Sequence, residues 1–148
     1  MSVVSAQNLG LTFPTGDGDI VALSDVNLTI EKGDFVSFIG PSGCGKTTFL
    51  RTIADLEKPT SGTLSVNGQT PEEARRNRAY GYVFQAAALY PWRTIEKNIA
   101  LPLEIMGHSA QEQAERIKRT MELVNLSGFE KKYPWQLSGG MQQRASIA

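Results

Sequence analysis

The eight-residue string at positions 40–47, Gly-Pro-Ser-Gly-Cys-Gly-Lys-Thr, constrains this chain more than any other feature of its sequence. It matches in full the Walker A pattern of a phosphate-binding loop. The mostly apolar run 35–39 predicts a buried strand before the loop, and residues 47–56 predict a helix after it. A strand, a glycine-rich turn and a helix in this order indicate an α/β domain that binds a nucleoside triphosphate.

The residue types in this loop suit the binding of phosphate groups. Glycines let backbone N–H groups face an anion without an intervening Cβ, and the following helix points its positive dipole end at the same anion. Lys46 supplies a mobile positive charge, the hydroxyl of Thr47 can coordinate Mg²⁺, and that of Thr48 can donate to an inner phosphate. The pattern leaves the position of Cys44 free. We predict nucleotide contacts from Gly40, Pro41, Ser42, Gly43, Cys44, Gly45, Lys46, Thr47 and Thr48.

Composition argues against several other kinds of site. The 148 residues include one cysteine and one histidine, which excludes an internal disulfide framework and disfavours a histidine-rich metal cluster. Fifteen basic residues balance fifteen acidic ones, so the net charge of +0 predicts no global attraction to nucleic acid or anionic lipid. No apolar run approaches the roughly 18 residues that span a bilayer. Residues 1–7 lack the basic and apolar segments of a secretory signal.

Outside the loop, hydropathy patterns predict a β-rich start and a helical end. Strands are predicted at 3–13, 20–23, 26–30, 63–66 and 80–84, and the first three indicate antiparallel β structure. Helices are predicted at 71–77, at 94–106 with a bend near Pro102, and at 139–148. Apolar residues at steps of four and three predict one more amphipathic helix, packed through Ala110, Ala114, Ile117, Met121 and Val124.

A second motif, Leu-Ser-Gly-Gly-Met-Gln-Gln-Arg at 137–144, resembles the LSGGQ-type signature of ATP-binding cassette (ABC) ATPases, the motor subunits of ABC transporters. Ser138 is a good helix N-cap, and Gly139 and Gly140 allow close approach of a ligand, so the motif suits a second phosphate contact. Gln85, directly after a predicted strand, matches the Q-loop glutamine of that family. The order and spacing of the three motifs fit the family, and the resemblance covers essentially the whole chain.

The resemblance implies the P-loop NTPase fold of ABC ATPases, which is an α/β fold. Residues 1–34 would form its N-terminal antiparallel β region, 35–85 an incomplete RecA-like core, and 86–148 the helical subdomain with the signature motif. In the family, a Walker B Asp, a catalytic Glu and a switch His follow the signature, and these 148 residues do not supply them. We therefore expect negligible ATP hydrolysis by this polypeptide alone. The predicted strand 35–39 would have unpaired N–H and C=O groups, so we also expect poor solubility or partial unfolding of the isolated chain.

The resemblance also implies ATP and Mg²⁺ as cofactors and assigns roles to further residues. Phe13 would stack on adenine, Thr47 and Gln85 would contact Mg²⁺, and Gln85 would also contact the attacking water. The signature of one subunit would cover ATP held by the phosphate loop of another, which implies a head-to-tail homodimer. The signature residues that would act in this way are Leu137, Ser138, Gly139, Gly140, Met141 and Gln142.

The region after the Q-loop implies a membrane partner. In the family, the segment equivalent to 86–103 receives a coupling helix of a transmembrane permease. Trp92 suits exposed contact there, whereas Ile95 and Ile99 suit the core of the helical subdomain. Residues 88–94, together with 100–104, look like those of nitrate, sulfonate and taurine importers. The implied protein is a peripheral ATP-binding subunit on the cytoplasmic side of the cell membrane, which works with the permease and indirectly with a periplasmic or extracellular substrate-binding protein.

Three alternatives remain open at this point. An ABC ATPase outside transport, acting in repair, translation or cluster assembly, would leave the permease-facing run 89–94 unexplained. A non-catalytic nucleotide-binding or interaction module would bind ATP without turnover. A small P-loop kinase would leave both the signature and Gln85 unexplained.

Overall fold

A computed structural model describes residues 2–148, which fall into two compact units. The first unit ends at Tyr82, and the second runs from Val83 to Ala148. The predicted division after residue 85, between the phosphate-loop core and a helical subdomain, stays a prediction. In the described part of the chain, no helix has both the length and the apolar character needed to cross a membrane.

The first unit contains a three-stranded antiparallel sheet of β1 (Ser2–Phe13), β2 (Ile20–Glu31) and β3 (Ser61–Val66), in the order β2-β1-β3. The turn-forming residues 14–19 join the first two strands into a hairpin. The predicted antiparallel start of the chain is confirmed. The two strands predicted at 20–23 and 26–30 are one strand, because the pairing with β1 continues past an irregularity near Asp25, which has a positive φ of 49°.

Two helices accompany this sheet, α1 (Lys46–Ile53) and α2 (Pro71–Arg76), in agreement with the prediction. Phe49 of α1 is buried in one core with the sheet residues Leu9 and Leu11. The ring of Phe38 meets the ring of Phe49 edge-on, with the centroids 5.5 Å apart. These contacts fix the start of α1 against the sheet, and they therefore fix the loop that leads into it.

Two of the strand predictions are wrong. Residues 35–39 and 80–84 form no strand in the described chain, and the side chains of Phe35 and Ile39 are 98% and 93% exposed. A strand requires hydrogen bonds from a neighbouring strand. The sheet of the described residues consists of β1, β2 and β3, and neither run is one of its strands. An apolar run therefore forms a strand only where a neighbouring strand can pair with it.

The second unit is helical. It contains α3 (Ile95–Met106), α4 (Ala110–Leu123) and α5 (Gly139–Ile147), and a 3₁₀ turn at Pro134–Gln136 precedes α5. All three α-helices confirm the predictions, and Pro102 lies inside α3.

A capping box starts α4. The hydroxyl of Ser109 accepts the backbone N–H of Glu112 at 3.3 Å, and the carboxylate of Glu112 accepts the backbone N–H of Ser109 at 3.0 Å. The bond from the Ser109 N–H favours the ionised carboxylate and so holds the pKa of Glu112 below its ordinary value. Thr70 and Glu73 start α2 in the same way. These side chains explain why α2 and α4 begin where they do.

The helices of the second unit share one hydrophobic core. Its buried members are Ile95, Ile99, Met121, Leu126, Leu137 and Ala145. The assignment of Ile95 and Ile99 to the core is therefore confirmed. Of the predicted apolar stripe on α4, Met121 is buried and Ile117 and Val124 pack against the core, but Ala110 and Ala114 are exposed. The prediction was wrong for this first half of α4, which extends beyond the core.

We expect Leu126→Ala to lower the free energy of unfolding of the second unit by roughly 2–5 kcal/mol, because it leaves a cavity at a fully buried position. Hydrogen exchange of the backbone amides of residues 83–148 in increasing urea reports on the unfolding of this unit. Leu123→Ala is the matched control, since Leu123 is 72% exposed and its truncation should cost less than about 0.5 kcal/mol. Equal losses in both variants would contradict the assigned core.

Candidate functional site

The phosphate loop of the first unit is an arc of exposed backbone that ends at α1. Gly45 is the N-cap of α1 with a positive φ of 91°, and the helical hydrogen bonds start with the N–H of Phe49, which donates to the carbonyl of Gly45 at 2.8 Å. The N–H of Cys44 donates to the carbonyl of Pro41 at 3.5 Å. Residues 40–44 are exposed, so a ligand can reach the loop from solvent.

The side chain of Lys46 folds back into this arc. Its Nζ atom donates to the carbonyl oxygen of Gly40 at 2.8 Å and to that of Pro41 at 2.7 Å, and it lies 3.4 Å from the Sγ atom of Cys44. In residues 2–148 no carboxylate forms an ion pair with this ammonium group. The positive charge is therefore held at the loop by neutral carbonyls and is available to an anionic ligand.

The start of α1 adds a second source of positive potential. Within the described residues, no side chain caps this helix and its first turn contains no acidic residue. The first N–H groups of a helix have no partner inside the helix, and the helix dipole places partial positive charge there. Thr47, exposed in this first turn, adds a hydroxyl oxygen of the kind that Mg²⁺ prefers. These donors fit the phosphate groups of a nucleotide and its metal ion.

Strand β2 packs closely behind the loop. A Cβ atom added to Gly45 would lie 2.6 Å from the carbonyl oxygen of Ala22 and 3.0 Å from the side chain of Leu23. A cavity of about 230 Å³ opens beside this contact, lined by Cys44, Gly45, Lys46 and side chains of β2. Both the space and the positive φ therefore require glycine at position 45.

Phe13, the predicted adenine contact, is the last residue of β1. It pairs with Ile20 of β2, and its side chain is 36% exposed. An aromatic ring that is partly exposed at a strand end suits stacking on a nucleotide base. Its role toward adenine stays a prediction.

In the second unit, the signature motif forms the start of α5. The hydroxyl of Ser138 accepts the N–H of Met141 at 3.3 Å, which confirms Ser138 as the N-cap. Gly139 and Gly140 are exposed, and a Cβ atom at either would meet no atom within 4 Å. Leu137, in contrast, is buried in the core of this unit. Its side chain supports the motif from inside, so the exposed surface of the motif is formed by the serine and the two glycines.

The last two residues of the motif, Gln143 and Arg144, make polar contacts that the sequence does not predict. The amide of Gln143 donates to the backbone carbonyl of Gln85 at 2.5 Å, across 58 positions of sequence. Arg144 donates to the carbonyls of Val124 and Asn125 at 2.8 and 3.2 Å. Such bonds join positions that are distant in sequence and produce no local pattern, so a single sequence offers no signal for them. Gln85 itself is exposed, as a residue that contacts a ligand must be.

Two exposed aromatic pairs lie on the second unit. Trp92 is 71% exposed and contacts Tyr90 with ring centroids 5.1 Å apart, which confirms that Trp92 faces solvent. Tyr133 and Trp135 stack at 6.2 Å, directly before the signature motif. No pattern in the sequence indicates this second pair.

Comparisons with known proteins point to one family. A family model described as "ABC transporter" matches residues 23–148. An uncharacterised ABC transporter ATP-binding protein of Methanocaldococcus jannaschii is 43% identical over 98% of this chain. An Fe(3+) ions import ATP-binding protein of Pasteurella multocida is 44% identical over 88%, and an aliphatic sulfonates import ATP-binding protein of Bacillus cereus is 39% identical over 98%. The chain spans 54%, 38% and 56% of the lengths of these three relatives.

Solved structures agree with this similarity. The dimeric ATP-binding cassette MJ0796, in a post-hydrolysis state bound to ADP and Pi, superposes with a TM-score of 0.88 at 37% sequence identity. The match covers 97% of this chain and 67% of that chain. The predicted P-loop ABC ATPase fold is thereby confirmed.

We expect Gly45→Ala to destabilise the first unit more than Gly43→Ala. Both positions have a positive φ, which costs about 1 kcal/mol for alanine. Only the Cβ atom at position 45 also meets a backbone carbonyl, which adds roughly 1–3 kcal/mol. Thermal unfolding followed by far-UV circular dichroism gives the comparison, and two variants with the same melting temperature would contradict the close approach to β2.

Proposed function

Because this chain belongs to the ABC transporter family, we propose that it is the ATP-binding, energy-coupling subunit of an ABC importer. The observation that carries the nucleotide-binding part of this proposal is the position of the Lys46 ammonium inside an exposed, complete phosphate loop at the start of α1. Relatives at similar identity are named as import ATP-binding proteins for Fe(3+) ions, aliphatic sulfonates, and sulfate or thiosulfate.

In this proposal the first unit holds the nucleotide. Backbone N–H groups of residues 43–48 bind the phosphates, Lys46 neutralises the outer ones, and Thr47 ligates Mg²⁺. Phe13 stacks on the adenine ring, and Gln85 of the second unit contacts Mg²⁺ and the attacking water. ATP, when bound, supplies the phosphoanhydride bond whose hydrolysis drives transport in the intact family.

We assign the signature motif to a nucleotide held by a second copy of the chain. Ser138, Gly139 and Gly140 present an exposed helix start that suits a phosphate group. The similarity to the dimeric cassette MJ0796 supports a head-to-tail homodimer in which each signature covers the ATP of the other subunit. The chain would then bind two ATP molecules per dimer.

The membrane partner in this proposal is a transmembrane permease on whose cytoplasmic side the subunit sits. The exposed pair Tyr90 and Trp92 offers an amphipathic contact of the kind enriched in protein interfaces. A substrate-binding protein outside the membrane would deliver the solute. Nitrate, sulfonate, taurine or a similar small solute is the proposed cargo, and the sulfonate-importer relative that aligns over 98% of the chain supports this proposal.

We expect Lys46→Ala to weaken the binding of Mg·ATP by roughly ten-fold or more, because it removes a charge-assisted contact to phosphate. Isothermal titration calorimetry of the 148-residue chain measures the dissociation constant. Lys32→Ala serves as the control, since Lys32 is an exposed lysine of the same unit outside the loop. The affinity of this variant for Mg·ATP should match that of the wild type. An unchanged affinity of Lys46→Ala for Mg·ATP would contradict the assignment of the phosphate loop.

We further expect alkylation of Cys44 to block Mg·ATP binding, and bound Mg·ATP to protect Cys44. The Sγ atom is exposed and lies 3.4 Å from the Lys46 ammonium, so an added group would occupy the space that phosphates need. The labelling rate with N-ethylmaleimide, with and without Mg·ATP, is read by mass spectrometry. Cys44→Ala should still bind nucleotide and resist the reagent, whereas equal labelling rates in the wild type would refute the prediction.

A further inference from the structure

Three consecutive side chains of α5 each donate to backbone carbonyls of a different segment of the second unit. Gln142 donates to the carbonyls of Pro134 and Leu137, at 2.9 and 3.1 Å, in the turn before the signature. Arg144 donates to the segment that follows α4. Gln143, between them, donates to the carbonyl of Gln85 at 2.5 Å. The helix therefore holds three connecting segments through neighbouring positions.

The Gln143 bond differs from the other two in the segment that it holds. Residues 81–90 form neither helix nor strand in the described chain, so their position depends on contacts from other elements. One end of the stretch 85–90 is fixed by Asn98 of α3, whose side chain accepts the N–H of Tyr90 at 2.7 Å. The other end, at the Q-loop glutamine, is held by Gln143.

The helix that carries Gln143 is itself anchored. Ser138 caps its start, and Ala145 is 4% exposed in the core of the unit. The amide of Gln143 reaches outward from this fixed helix to a loop carbonyl. Loss of the bond would therefore free the Gln85 end of the stretch, while the helix stays in place and Leu89 stays packed against the core.

We propose that Gln143 is a positioning residue that fixes the backbone of Gln85 relative to the signature helix. The backbone of Gln85 is then joined by a hydrogen bond to the helix that begins with Ser138, Gly139 and Gly140. When the signature motif contacts a nucleotide and its helix moves, Gln85 would move with it. Gln85 is the residue assigned to Mg²⁺ and the attacking water. This coupled movement rests on the proposed function, whereas the hydrogen bond from Gln143 to the carbonyl of Gln85, called the tie below, does not.

The tie is tested without nucleotide. A nitroxide label at Ala86→Cys, next to Gln85 and in a Cys44→Ala background, reports the mobility of this end of the loop by electron paramagnetic resonance. Gln143→Met removes the donor at similar length, and we expect the rotational correlation time to shorten by roughly two-fold as the loop gains nanosecond motion. Gln143→Lys retains a donor and should keep the slower motion. Gln142→Met, which frees the turn at 134–137 only, should leave the label unchanged.

Two results of this experiment would overturn the tie. One is an unchanged spectrum in Gln143→Met. The other is the same gain of mobility in Gln142→Met, which would indicate general loosening of α5. Far-UV circular dichroism of each variant confirms that the helices are intact, so a change at the label is assigned to the loop.

The functional step is tested with unlabelled protein by calorimetry in Mg·ATP and in ATP with EDTA. We expect Gln143→Met to weaken Mg·ATP binding by roughly two- to ten-fold, with little change in EDTA, and Gln143→Lys to restore it. In a Gln85→Ala background, Gln143→Met should have no further effect. Additive losses would overturn the positioning role, and wild-type affinity in Gln85→Ala alone would instead overturn the proposed role of Gln85 at the metal.

Discussion

Both candidate nucleotide contacts depend on helix starts whose backbone N–H groups stay accessible to an anion. At α1 the N-cap is Gly45, whose close approach to the carbonyl of Ala22 fixes the loop against β2. At α5 the hydroxyl of Ser138 takes one N–H group, and two exposed glycines leave the surface open. In each unit, a packed core behind the loop holds the donors in place before any ligand arrives.

Elements with a local signal could be predicted from the sequence, including the strand at 63–66, whereas the pairing that each apolar run requires could not. The helix at 110–123 begins with its own capping box, so its start follows from neighbouring residues. The helix at 95–106 is also predicted from local sequence, but the N–H groups of Ile95 and Glu96 at its start donate to carbonyls of residues 130–132, which are distant in sequence. The run 35–39 has the composition of a buried strand but lies outside the sheet, because strand formation depends on pairing. Apolar composition alone says nothing about which strand would supply that pairing.

The same distinction applies to the candidate site. The phosphate loop, its lysine and the serine N-cap of the signature are contiguous strings, and the structure forms them as the sequence predicts. The donation from Gln143 to Gln85 is a side-chain bond to a backbone carbonyl, and any residue type at position 85 offers such a carbonyl. Burial of Leu137 likewise follows from the shared core and not from the motif.

The central claim is that this chain binds a nucleotide through residues 40–48, and amide chemical shifts test it most directly. A ¹⁵N-labelled sample titrated with Mg·ATP should show its largest shifts at the N–H groups of Gly43, Gly45, Lys46 and Thr47, because these groups surround the assigned phosphate site. Saturable shifts centred on another part of the chain, or none at millimolar Mg·ATP, would contradict the account.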